Sequence, residues 1–110
     1  MTLRQAQGDR GNALRGEASI LIGGTERTLR PSFDALVRAE EELGPLFALV
    51  ERAGEGQLRL AEIAGLFWHC LADRAGLSRE VVGEAVLAMG LAAAAGPLRV
   101  LLGEILRGKG

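Results

Sequence analysis

Few side chains in this chain could do bond chemistry, and they stand in two places. His69 is the one histidine and Cys70 the one cysteine. A Cys–His nucleophile pair needs facing side chains and a third group to orient the base. Consecutive helical residues point about 100° apart, which suits neither that pair nor joint ligation of a metal. The pair therefore reads as a partly buried thiol beside a surface or boundary imidazole, since buried free cysteine commonly serves as a small hydrophobe. The second place is Glu40-Glu41-Glu42. Catalytic carboxylates need a pocket and burial to tune their pKa. No adjacent segment supplies either, so the run reads as a solvated helix end. Gly23-Gly24 lacks the longer loop and the following lysine of a phosphate cradle. Trp68 reads as core within an apolar stripe, with a binding anchor as the sharper alternative. No catalytic, cofactor-binding or metal residue emerges, and the expectation is a non-enzymatic protein without a cofactor.

Composition sets the frame around those residues. The chain has 110 residues, 48% hydrophobic and 25% charged, which is globular and of one domain's length. Thirteen Lys and Arg stand against 14 Asp and Glu, for a net charge of -1. Such a chain has no general pull toward phosphate backbones or anionic lipid. A single cysteine rules out a disulfide framework within the chain and suits a reducing, cytoplasmic setting. The first dozen residues, MTLRQAQGDRGN, lack the apolar core of a signal peptide. The apolar stretch from Leu91 to Leu102 is cut by Gly96, Pro97 and Arg99, short of the about 20 apolar residues of a membrane span. Aromatic residues are only 4%, with no tyrosine, which disfavours a base-stacking surface.

The elements that must position everything follow from periodicity. Residues 1–16 are polar and show no period; they read as a flexible tail, and residues 17–110 as a single domain. EASILI reads as a strand, Gly23-Gly24 as a two-residue turn and TERTLR as the returning strand. That register opposes Ile22 to Thr25, Ile20 to Arg27, Ala18 to Leu29 and Glu17 to Arg30. It gathers Ala18, Ile20, Ile22 and Leu29 on one face. After Pro31, Ser32 caps a helix over Phe33–Leu43, with Phe33, Leu36, Val37, Glu40 and Leu43 on its stripe. Pro45 opens a short helix to Ala53. Leu60, Ile63, Phe67, Leu71 and Ala75 make one stripe, so the third helix is predicted over Leu58–Ala75. Ser78 caps a fourth over Arg79–Met89, and Gly96-Pro97 opens a last helix to Arg107. Glycines 65, 83 and 103 fall inside helices, each at a cost of about 1 kcal/mol against alanine. They imply close helix–helix approach, within the domain or between subunits. The predicted fold class is α+β: a short N-terminal β-hairpin followed by four or five packed α-helices.

Helix three, the Gly76-Leu77 turn and helix four have the order of a helix-turn-helix. A recognition helix needs basic and polar residues at its start. SREVVGEAVLAMG has one arginine and two glutamates, so no nucleic-acid partner is expected.

Read in order, GEASILIGGTERTLRPSFDALVRAEEELG, LRLAEIAGLFWHCLADRAGLSREVVGEAVLAMGL and VLLGEILRG resemble the tail-assembly proteins of gene transfer agents and related siphophages. That family is described as tail tube protein or as tail assembly chaperone. The match rests on Gly23-Gly24, Leu29, Phe33, Leu36, Glu40, Gly44, Leu66, Leu77, Ser78, Val81 and Gly90, over about residues 16–107. The Trp68-His69-Cys70 segment is bulkier than the pattern. The resemblance implies a protein that coats the tape-measure protein and keeps it soluble until tail tube protein polymerises around it. It also implies no catalytic residue. A structural tail tube or connector subunit is the alternative, and behind it a small helix-turn-helix DNA-binding regulator. Many such chaperones have a longer frameshifted form, and Gly108-Lys109-Gly110 is compatible with a slippery codon run.

One surface is singled out by strand physics. The TERTLR strand carries three charges, whereas EASILI has none after Glu17. Unguarded strand edges pair with other chains. The segment Glu17, Ala18, Ser19, Ile20, Leu21 and Ile22 is therefore the candidate protein-binding edge, for a second copy or for a partner strand, and the protein is expected to form a homo-oligomer.

Overall fold

The computed structural model describes residues 17–107. The predicted tail, residues 1–16, lies outside them, as does Gly108-Lys109-Gly110. The elements run β1 Ala18–Ile22, β2 Thr25–Leu29, α1 Phe33–Leu43, α2 Leu46–Gly54, α3 Leu60–Cys70, α4 Arg79–Met89 and α5 Leu91–Arg107. The layout is α+β, an antiparallel hairpin followed by five helices.

Gly23 and Gly24 take φ of 59° and 82°, the left-handed pair that a tight two-residue hairpin turn demands. The register is the predicted one, Ala18 opposite Leu29 through Ile22 opposite Thr25. Arg30 Nε donates to Glu17 Oε2 at 2.6 Å just beyond the strand ends. Ala18, Ile20, Ile22 and Leu29 are all buried, as the alternation requires. A lone hairpin is marginal in water; this one packs its β1 strand on α4 and α5. Helix α3 lies between α1 and α4, and Leu66 and Phe67 sit fully buried at the centre.

Three sequence expectations need correction. Helix α3 stops at Cys70 rather than Ala75. Leu71 leaves the helix with extended φ and ψ of -58° and 126° and forms a bridge with Leu29. Arg30 N–H donates to the Cys70 carbonyl at 2.6 Å, and Ala72 N–H donates to the Thr28 carbonyl at 3.0 Å. Sheet pairing thus replaces the helix's next hydrogen bonds while Leu71 stays buried. Helix α5 is continuous from Leu91, with Pro97 inside it. The alanine run before the proline is already helical, and Ala94 is fully buried, so the one lost backbone donor does not divide the element. Helix α1 buries Ala35 and Ala39, with Leu36 and Leu43 of the predicted stripe half-buried against the core, whereas Val37 and Glu40 are exposed and Phe33 is 85% exposed. Where α1 packs on α3, a Cβ on Gly65 would meet Leu43 Cδ2 at 3.4 Å, ordinary van der Waals contact.

Candidate functional site

The chemical residues converge on Glu42 and Trp68. Glu42, near the end of α1, accepts from His69 Nε2 at 2.7 Å and from Arg79 Nη1 and Nη2 at 2.7 and 2.9 Å. Arg79, with His69 assisting, holds the Glu42 carboxyl at about 2, well below its ordinary 4.5. Trp68 is half-buried, and the guanidinium groups of Arg74 and Arg79 stand 5.5 and 5.7 Å from its ring centroid. Burial pushes the Cys70 thiol up to about 12, so it stays protonated and is a poor nucleophile. These residues clamp α1, α3 and α4 together.

Three sequence readings change with that geometry. The acidic run is not simply a solvated end: Glu42 ties three helices, and Glu40 Oε2 accepts from the Leu46 N–H at the start of α2, 3.1 Å away. His69 is 9% exposed, a buried rather than a surface or boundary imidazole. Trp68 bridges core and rim instead of lying wholly in the core. Arg79, the one basic residue at the start of α4, is turned back onto Glu42 and Trp68. Among the described residues, no group of three or more His, Cys, Asp or Glu could hold a metal ion.

Among the described residues, two open features bear on partner binding, an edge and a groove. In a two-residue hairpin the residues flanking the turn form a hydrogen-bonded pair, and pairs alternate from there. Ile22, Ile20 and Ala18 therefore bond to β2, and the N–H and C=O groups of Leu21 and Ser19 point outward. The same alternation turns Thr28 and Arg30 outward from β2, where Ala72 and Cys70 already engage them. No backbone hydrogen bond among the described residues engages the outward groups of Ser19 and Leu21. The Leu21 side chain is 59% exposed. Of the six-residue candidate edge, then, Ser19 and Leu21 present backbone, Ala18, Ile20 and Ile22 belong to the core, and Glu17 is engaged with Arg30.

The groove was not singled out from sequence. It is an open space of about 280 Å³ between α2 and α5, lined by Leu46, Phe47, Val50, Ile105 and Leu106, with Glu40 of α1 adding one carboxylate. Phe47 is 78% exposed and Leu106 56%. Exposed side chains of that size clustered at one concavity mark interaction surfaces. The signal in the sequence was a short helix, LFALVERAG, with more large apolar residues than one buried stripe uses. No single described helix is long and apolar enough to cross a membrane; only α4 with α5, bent by 116°, passes by length and composition together.

The family comparison places this small α+β domain among the phage tail proteins. Residues 15–108 match the family described as phage tail tube protein, GTA-gp10, and the chain belongs to that family. No curated protein matches the chain, and no solved structure does.

Proposed function

We propose that the chain is a non-enzymatic tail assembly chaperone, acting in the cytoplasm, that binds the tape-measure protein while the tail is being built. The observation that carries this reading is the α2–α5 groove with Phe47 and Leu106 open at its surface. An amphipathic helix lays its apolar face into such a groove, and a long helical partner offers that face repeatedly. Coating those faces would hold the partner in solution until tail tube protein replaces the chaperone. Burying Phe47 in the complex contributes about 2 kcal/mol, so Phe47→Ala should weaken binding to tape-measure fragments about thirtyfold. Co-purification of the full chain with tape-measure fragments, compared between wild type and Phe47→Ala, tests it. Equal recovery, or no recovery of either, counts against the chaperone reading.

A second reading is a polymerising tail tube subunit, which the family's own description names. The outward Ser19–Leu21 backbone gives such a subunit one place to receive a neighbour's strand, the opposite edge of the hairpin being taken by the α3 exit. Mass spectrometry of finished particles separates the two. Many copies per particle support the tube subunit, and absence from particles supports the chaperone.

A further inference from the structure

We propose that two copies of this chain pair through the outer edge of β1, antiparallel about a two-fold axis at Ile20, to make one four-stranded sheet. The inference does not depend on the tape-measure reading.

The geometry begins with which backbone groups are spoken for. One edge of the hairpin is closed by the α3 exit, through Thr28 with Ala72 and Arg30 with Cys70. The other edge presents the N–H and C=O of Ser19 and Leu21, with no backbone partner among the described residues. Two residues of one strand, two apart, match the same two residues of an antiparallel copy. Ser19 then stands opposite Leu21 of the second copy, and Leu21 opposite its Ser19, each as a hydrogen-bonded pair exchanging two bonds. Ile20 meets Ile20 across the axis as the close pair between them.

The side chains choose a second copy over other occupants. Between Ala18 and Ile22 no residue is charged, so self-pairing brings no like charges together. Two-fold pairing of one neutral edge is self-complementary by construction. Ser19 and Leu21 lie on the outer face, where the exposed Leu21 gains the small Ser19 of the other copy as its neighbour. Ile20 keeps its place in the core, so the domain need not rearrange. Pairing also converts a two-stranded sheet, marginal alone, into a four-stranded one.

Sedimentation equilibrium of the full chain tests the pairing. The wild type should approach the dimer mass with rising concentration. Leu21→Pro removes an outward donor and no hairpin bond; it should be monomeric with unchanged helical circular dichroism. A charge pair checks the register with a fold control built in. Ser19→Lys with Leu21→Lys sets lysine opposite lysine, whereas Ser19→Lys with Leu21→Glu sets lysine opposite glutamate in both halves. The second should self-associate at least tenfold more tightly than the first, both remaining folded. A wild type monomeric at every concentration, a Leu21→Pro dimer, or equal association of the two charged variants would each overturn the proposal.

Discussion

Glu42 takes partners 27 and 37 positions away, His69 and Arg79, and no local pattern announces either. What was legible at this scale was the lack of facing geometry between His69 and Cys70, because adjacent helical positions diverge whatever the tertiary fold. What was not legible was the employment of the charges, which depends on where α1 ends relative to α4. The carboxyl of Glu42 has its pKa depressed from 4.5 to about 2 in the folded state. A group depressed on folding stabilises above its unfolded value and loses that contribution as pH falls through its folded one. The side chain is 40% exposed, so solvent screens the gain and the effect is modest. Glu42→Gln should therefore lower Tm at pH 7 and flatten the loss of stability between pH 4.5 and 2. Thermal melts across that range check it. An acid limb as steep in the variant as in the wild type would mean that other carboxylates carry it.

At the scale of elements, the strands and the capped helices could be read because their signals are local. The Gly-Gly turn sets the register, and Ser32 and Ser78 each accept a backbone N–H, from Ala35 at 3.1 Å and Val81 at 3.2 Å. The end of α3 was misread because Leu71 continues the apolar stripe whether it is helical or bridged to Leu29. Asp73 did hold a signal, since its carboxylate accepts from the Ala75 N–H at 2.9 Å and closes a local turn. The interior glycines divide by what surrounds them. Gly65 sits where α1 approaches α3, with Leu43 Cδ2, Glu42 and Arg79 all within 4 Å of an added Cβ. Gly103 faces the tip of Arg107, an exposed and flexible side chain that can swing aside. Gly103→Ala should accordingly stabilise by about 1 kcal/mol through helix propensity alone. Gly65→Val should destabilise by about 1–3 kcal/mol, because its added methyls crowd the Leu43, Glu42 and Arg79 side chains already in contact there. Urea midpoints of the two variants decide this. A Gly65→Val chain as stable as wild type would contradict the close approach.

For the whole molecule, the order of elements followed from periodicity, but the open surfaces did not. Phe47 and Phe33 are as apolar as Phe67, and only the packing of α2 and α1 decides which aromatic rings stay outside. That packing leaves one core. The hairpin contributes Ala18, Ile20, Ile22 and Leu29, and every helix from α1 to α5 adds at least one buried side chain to the same cluster. A core shared by all elements cannot be dismantled piecemeal, since removing any layer exposes the next, so unfolding of the described domain should be two-state. The chain carries a built-in reporter: Trp68 is the only tryptophan and sits where α3 meets Arg74 and Arg79. Its fluorescence follows the clamp, and far-ultraviolet circular dichroism follows all five helices. The two probes should give one urea midpoint. Phe67 is fully buried at the centre of α3, and Phe67→Ala should cost about 3–5 kcal/mol. That is a large part of the roughly 5–15 kcal/mol that holds a typical domain folded. The variant should therefore move both transitions together to a much lower midpoint. If Trp68 fluorescence fell at the lower midpoint while most of the helical signal persisted, α3 and its clamp would be a separable unit, and the single shared core would be the wrong description.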